Sequence, residues 1–180
     1  MGESMRGYFA IGAEKISKMQ NFGNLARTGH GFGASFCFTV AASRLRLNDM
    51  VSDTSRSLTN MPYYAWDKPN DITLPDRCQL VGIELTDDAI DLPSFRHPTQ
   101  AAYILGPERA SLSPEIMEMC DHIIKIPTSF CLNVATAGAI VMYDRIATLG
   151  RFAPRPVRVG GPVEPKPIHV QGSQKRRTPI

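Results

Sequence analysis

The sequence has few cysteines, and none of them forms a close pair. The four are Cys37, Cys78, Cys120 and Cys131, so no Cys-x-x-Cys spacing occurs. This argues against a zinc knuckle and, without an export signal, against a disulfide framework. The opening residues MGESMR lack the basic and then apolar pattern of a signal peptide. We therefore expect a cytoplasmic protein with reduced thiols.

Long apolar runs are also absent. No stretch approaches the roughly eighteen uncharged apolar residues that a membrane-spanning helix needs, so we expect no membrane association. Of the 180 residues, 43% are apolar and 21% are charged. This balance is typical of a globular chain with one hydrophobic core.

The signatures of several enzyme classes are missing. Gly29, Gly31 and Gly33 do not complete a dinucleotide-binding Gly-x-Gly-x-x-Gly, because Ala34 and Phe36 stand where the third glycine is needed. There is no Walker A loop, no His-Glu-x-x-His and no Gly-x-Ser-x-Gly. The scattered histidines predict no metal site; they are His30, His97, His122 and His169.

Positive charge is concentrated at the carboxyl terminus. Residues 150–180 contain seven Lys and Arg residues and one Glu, a net +6, which leaves −3 on residues 1–149. Six prolines in the same segment exclude a regular helix. We expect one domain over 1–149 and a basic tail over 150–180. The tail suggests a polyanionic partner, although a solubilising tail without a target explains the charge equally well.

The apolar patterning predicts strands that alternate with helices. Candidate strands cover residues 8–13, 34–41, 61–66, 78–85, 100–105 and 123–126. Candidate helices begin near Asn21, at Ser113-Pro114 and near Leu132, whereas residues 43–60 have no clear pattern. Such alternation predicts an α/β domain with a mostly parallel sheet flanked by helices.

Three polar segments open helices or follow strands, and in open α/β sheets ligands bind at the carboxyl ends of strands. In the first segment, Asn21 and Asn24 could cap a helix whose positive end accepts an anion. Arg27, one turn further on, could hold a phosphate. Standing alone, the pattern is more typical of an ordinary capped helix.

The other two segments come later in the chain. Gly106 would let a ligand approach the backbone after the strand over 100–105. A tight turn with an ion pair between Glu108 and Arg109 explains that segment as well. Asn133 stands near the start of the last helix, where a capping role alone would explain it.

In this order and spacing, the segments resemble the three motifs of the SpoU (TrmH-like) branch of the SPOUT RNA methyltransferases. The resemblance covers residues 8–148. The matching residues are Asn21, Gly23 and Arg27, then Gly106, Glu108, Leu112 and Ser113, then Ile126, Pro127, Leu132, Asn133 and Val134. The chain departs from the family at Ala110, usually glycine, and at Cys131, usually serine, and its third motif has a shorter loop.

The resemblance implies an α/β fold whose C-terminal part is threaded into a trefoil knot, and a homodimer. It implies that S-adenosylmethionine is bound largely by backbone in the knot, which here means Leu105, Gly106, Ile126 and Leu132. It also implies methylation of an RNA ribose 2′-hydroxyl.

The same resemblance assigns the catalytic residues. Arg27 matches the arginine that has been proposed as the base in this family. A guanidinium is very hard to deprotonate, so a two-pronged hold on the neighbouring phosphate is the easier role. Asn21, Glu108 and Asn133 would then orient Arg27 and the ribose.

Two alternatives stay open: methylation of an RNA base, and a catalytically silent RNA-binding protein with the same fold. The pattern of Asn, Gly and Arg in motif one favours ribose. Only about twenty residues precede motif one, so we expect no N-terminal RNA-binding domain. Family members of this minimal kind commonly act on tRNA, so the resemblance favours tRNA over rRNA as the substrate.

Overall fold

The strands form a single parallel sheet. The computed structural model describes residues 7–42 and 57–150, together with Phe152, Arg155, Val159 and Gly160. The strands are β1 (Tyr8–Glu14), β2 (Phe36–Val40), β3 (Tyr63–Trp66), β4 (Gln79–Ile83), β5 (Ile90–Asp91), β6 (Gln100–Leu105) and β7 (His122–Lys125). Their order across the sheet is β3-β2-β1-β6-β4-β7-β5, and all neighbours are parallel. The predicted α/β class with a parallel sheet is therefore confirmed.

Helices cover both faces of the sheet. They are α1 (Met19–Gly31), α2 (Ser57–Asn60), α3 (Pro114–Met119) and α4 (Val134–Leu149), with 3-10 turns at Pro69–Asp71 and Leu92–Ser94. On one face α1 and α4 pack against each other and bury a core that includes Phe22 and Met142. On the other face Ile116 of α3 packs with Phe38 and Ile104. Because both faces are covered, β1, β2 and β6 are almost entirely buried, as their apolar sequences predicted.

Two elements were not expected from the sequence. β5 has only two residues, both exposed, so it is too short for a hydrophobic period. α2 has four residues and lies in the segment over 43–60 that had no clear pattern. The part of that segment before α2, residues 43–56, lies outside the described residues.

The start of α1 differs from the expectation. The N-cap residue is Lys18, and not Asn21 or Asn24. The Lys18 side chain makes no capping hydrogen bond. Asn21 lies in the first turn instead. The predicted caps of the later helices are confirmed: Ser113 accepts from the Ile116 N–H of α3, and Asn133 accepts from two N–H groups of α4.

A buried arginine ties α4 to the amino ends of β1 and β6. The guanidinium of Arg145, a residue only 1% exposed, donates to the carbonyl oxygens of Tyr8, Pro98 and Thr99 at 3.1, 2.5 and 2.9 Å. It also donates to the Tyr103 hydroxyl at 3.1 Å. Burial raises the pKa of Tyr103 to about 12, so this hydroxyl keeps its proton. The network stabilises the amino-terminal end of the sheet, opposite the carboxyl ends of the strands.

The knot and the division into a domain over 1–149 and a tail over 150–180 stay predictions. Contacts divide the chain into the units Met1–Gly150 and Arg151–Ile180, and every helix and strand above lies in the first. Apart from the four residues named above, positions 151–180 lie outside the described residues. Within the described part of the chain, no helix is long and apolar enough to cross a bilayer.

Candidate active site

A cavity of about 530 Å³ opens at the carboxyl ends of β4, β6 and β7. This volume is in the range of small-molecule sites, and the position is the one where open α/β sheets bind ligands. The residues expected to bind a cofactor all line it; they are Leu105, Gly106, Ile126 and Leu132. Of the expected catalytic residues, Asn21, Glu108 and Asn133 also line it, and Arg27 does not.

Glu108, Asn21 and Asn133 form a chain of hydrogen bonds along the cavity wall. The Asn21 Nδ2 donates to Glu108 Oε1 at 3.1 Å, and the Asn133 Nδ2 donates to Asn21 Oδ1 at 3.1 Å. The Asn133 Oδ1 then accepts from the Ala135 N–H at 2.9 Å, at the start of α4. Residues from all three motifs are thus joined side chain to side chain.

Glu108 also caps α1 from a distant part of the chain. Its carboxylate accepts from the Lys18 N–H at 3.0 Å, from the Ser17 N–H at 3.4 Å and from the Ser17 hydroxyl at 3.1 Å. A carboxylate at a helix N-terminus stabilises the helix, which explains why α1 needs no local cap. Burial by itself raises the pKa of Glu108, but the hydrogen bonds from its own backbone, Asn21, Lys18 and Ser17 outweigh burial and lower it overall.

Two further glutamates, neither of them expected from the sequence, hold the loop between β6 and α3. The Glu84 carboxylate accepts from the Leu112 N–H at 2.8 Å and from the Leu85 N–H at 2.9 Å. The fully buried Glu14 accepts from the Ser113 N–H at 2.7 Å. Both glutamates stand at the carboxyl ends of predicted strands, which is the signal that could have identified them.

Gly106 is required by the packing of its own loop. A Cβ at this position would lie 2.9 Å from the Leu112 nitrogen and 3.2 Å from the Ser111 carbonyl carbon. Gly106 does not have a positive φ, so close approach, and not backbone conformation, requires glycine. The sequence predicted that a ligand approaches the Gly106 backbone closely, whereas in the structure it is the loop itself that approaches it.

Arg27 lies on the exposed face of α1. It is six residues after Asn21, which places it roughly 240° around the helix and about 9 Å along it. Asn21 belongs to the buried face, whereas Arg27 shares an exposed face with Asn24 and Gly31. The hydrogen bonds that join Asn21, Glu108 and Asn133 do not include Arg27, and the expectation that these residues orient Arg27 and the ribose stays a prediction.

Within the described residues, no group of three or more His, Cys, Asp or Glu side chains is placed to hold a metal ion.

Residues 8–143 match the model of the SpoU rRNA methylase family. The chain belongs to this family. The match contains all three motifs and every residue of the hydrogen-bond chain.

Individual SpoU relatives are distant. The mouse tRNA (guanosine(18)-2′-O)-methyltransferase TARBP1 is 25% identical over 160 residues, which are 80% of this chain and 10% of the mouse protein. The SpoU methyltransferase AviRb from Streptomyces viridochromogenes, solved with AdoMet, has a TM-score of 0.71 at 20% identity, over 81% of this chain and 62% of that one. A solved structure that concerns 2-OH methylation of C/U34 on tRNA has a TM-score of 0.71 at 19% identity, over 80% of this chain and 97% of that one. This chain thus spans a small part of TARBP1 and less than two thirds of AviRb.

The two residues that depart from the SpoU motifs lie at the cavity. Ala110 and Cys131 line it, and Cys131 is an exposed, free thiol. A thiol is a weaker hydrogen-bond partner than the serine hydroxyl usual in the family. This chain therefore has one strong polar group fewer on that wall.

Proposed function

We propose that this SpoU protein is an S-adenosylmethionine-dependent RNA methyltransferase that modifies a ribose 2′-hydroxyl, with tRNA favoured over rRNA. The observation that carries the proposal is the hydrogen-bond chain from Glu108 through Asn21 to Asn133 on the cavity wall. A fold kept only for RNA binding has no need to join the three motifs in this way. The name of the mouse relative, a tRNA 2′-O-methyltransferase, and the motif-one pattern favour ribose over base.

The cavity has the properties that S-adenosylmethionine requires. Apolar side chains on its wall, among them Leu105, Ile126 and Leu132, suit the adenine ring. Glu84 and Glu108 also line it, and their negative charges favour a cationic ligand. When bound, S-adenosylmethionine supplies the methyl group from a positively charged sulfonium, so the protein's main task is to orient the accepting oxygen in line with it.

Glu108 serves this reaction as a positioning residue. Its carboxylate already accepts four hydrogen bonds, and its lowered pKa makes it a weak proton acceptor. In our proposal it holds Asn21, and Asn21 and Asn133 together orient the ribose. Arg27 binds the neighbouring phosphate through its guanidinium.

We further propose that the protein works as a homodimer. Ile140 and Tyr143, three residues apart on α4, are 36% and 57% exposed, so they form an apolar patch on one helix face. α1 packs against α4 and presents Arg27 on its own exposed face. A dimer formed through this side would bring Arg27 of one subunit towards the cavity of the other, which accounts for its distance from the cavity of its own chain.

Two measurements test the proposed function. Calorimetry should detect stoichiometric binding of S-adenosylmethionine to the protein. Unfractionated tRNA and rRNA, prepared from a strain that lacks the gene, should then accept labelled methyl groups in alkali-resistant dinucleotides, since a 2′-O-methyl group blocks alkaline cleavage. Label in mononucleotides would mean base methylation, and binding of RNA without transfer would mean a silent RNA-binding protein.

A further inference from the structure

Two cations at the cavity have no acidic partner in the part of the chain that the structure describes. Lys18 and Arg109 line the cavity and are exposed. The ion pairs within 7–42 and 57–150 involve Lys15, Lys68, Arg77 and His97, and neither of these two cations. Lys18 uses its backbone N–H for Glu108, so its ammonium group is left for another acceptor.

An exposed aromatic ring lies in the loop between β7 and α4. Phe130 is 73% exposed, more than any other large apolar side chain in 7–42 and 57–150. Its neighbours Thr128 and Cys131 line the cavity. The Thr128 hydroxyl donates to the Phe130 carbonyl oxygen at 2.9 Å and lies 3.3 Å from the Ile126 carbonyl oxygen, which helps to hold the loop in place.

We propose that a nucleotide of the substrate RNA lies across the cavity mouth. The two phosphates that flank it contact Lys18 and Arg109, and its base stacks on Phe130. This inference rests on the proposed function, because it names how the acceptor strand is held at that same site. Lys and Arg neutralise phosphates without regard to sequence, and an aromatic ring accepts the face of any base. Both kinds of group come from segments that border the methyl-donor cavity.

The arrangement favours RNA over a protein partner as the occupant. A partner subunit packed on Phe130 would also desolvate Lys18 and Arg109, which is costly unless it supplies carboxylates to both. An RNA strand supplies an anion and a ring in every nucleotide. Because a base inside a duplex is stacked on both faces, the base on Phe130 must come from a loop or another single-stranded segment.

The test compares two probes: a short uridylate oligoribonucleotide and its abasic counterpart with the same phosphates, both with S-adenosylmethionine present. Phe130→Leu should weaken binding of the uridylate oligomer about tenfold, leave the abasic oligomer unchanged, and leave cofactor affinity unchanged. Phe130→Trp should bind the uridylate oligomer as well as the wild type. Lys18→Gln and Arg109→Gln should weaken both probes, and each should reduce the salt slope of log K by about 0.7.

Matched controls come from β3, the strand at one edge of the sheet, and from the residues that follow it. Tyr64→Leu and Lys68→Gln remove an aromatic ring that is 49% exposed and an exposed cation near β3, and neither should change the binding of either probe. Equal affinity of Phe130→Leu and wild type for the uridylate oligomer would overturn the inference. The inference would also be overturned if Phe130→Leu sediments as a monomer and the wild type as a dimer, because the ring would then belong to the subunit interface. Absence of methyl transfer by the wild type, with Phe130-dependent binding intact, would refute the proposed function and leave the RNA site standing.

Discussion

Asn21 and Asn133 are 112 positions apart in the chain, yet their side-chain amides share a hydrogen bond of 3.1 Å. Asn133 also caps α4, and Asn21 lies in the first turn of α1. One side chain therefore both starts the last helix and links it to the first. The two roles can be separated by substitution.

Asn133→Ala and Asn133→Ser distinguish the cap from the link. A serine can cap the helix but is too short to reach Asn21, whereas alanine can do neither. Asn133→Ala should lower the free energy of unfolding by about 1 kcal/mol, and Asn133→Ser by less, as measured by urea denaturation. Methyl transfer should fall in both. A fully active serine variant would show that the link to Asn21 does not matter for the reaction.

Glu108→Gln should make the protein less stable above pH 5 and less sensitive to acid. The pKa of Glu108 is lower in the folded protein than its ordinary value of 4.5. The carboxylate therefore stabilises the fold above pH 4.5, and this stabilisation is lost as the pH falls through the lowered pKa. Urea denaturation from pH 3 to 7 should show a smaller loss in Glu108→Gln than in wild type. Equal acid sensitivity of the two proteins would rule out this contribution.

Gly106→Ala should disturb the loop between β6 and α3, because the new Cβ would lie 2.9 Å from the Leu112 nitrogen. We expect S-adenosylmethionine affinity in calorimetry to fall at least tenfold, while α1 and α4 keep their helical circular dichroism. Gly31→Ala is the control, since a Cβ at Gly31 has nothing within 4 Å. Normal cofactor affinity in Gly106→Ala would mean that the loop does not shape the cofactor site.

His97 should make the fold weaker in mild acid. The ring is buried, with Nδ1 2.6 Å from the Tyr103 hydroxyl and Nε2 3.0 Å from Asp144 Oδ2. Burial lowers the pKa of His97 below 6.5 despite the bond to Asp144, and nearby Arg145 lowers it further. The unfolded chain then binds a proton that the folded chain does not, so the free energy of unfolding should fall as the pH drops below about 6.5.

The corresponding measurement is urea denaturation between pH 5 and 8. His97→Gln should flatten the curve of stability against pH, whatever its effect on stability at pH 8. An unchanged slope in His97→Gln would assign the pH dependence to other groups.

Arg27→Ala should abolish methyl transfer and leave S-adenosylmethionine affinity within a few-fold of the wild type, since Arg27 is remote from the cavity of its own chain. Arg27→Lys should abolish methyl transfer as well, because an ammonium group cannot make a bidentate contact with phosphate. Mixing Arg27→Ala with Gly106→Ala subunits should restore part of the activity, since a mixed dimer has one intact cavity facing one intact arginine. No recovery after demonstrated subunit exchange would place Arg27 in the site of its own chain.

Much of the fold was readable from the sequence because the deciding interactions are local. The buried strands β1 and β6 appear as apolar runs, and the caps at Ser113 and Asn133 act on N–H groups two or three residues away. The order of the motifs likewise indicated the family and the residues that line the cavity. Each strand, cap and single motif depends on a short stretch of chain, so each leaves a pattern in it.

The partners of the site residues were decided by tertiary structure alone. Glu108 caps a helix that begins about 90 positions earlier, and Gly106 is needed because another part of its loop lies against it. The sheet order places β6 between β1 and β4, which brings the ends of strands that are distant in sequence side by side. Local chain geometry cannot encode such neighbours. For the same reason, only the packing of α1 showed that Asn21 faces the cavity and Arg27 faces solvent.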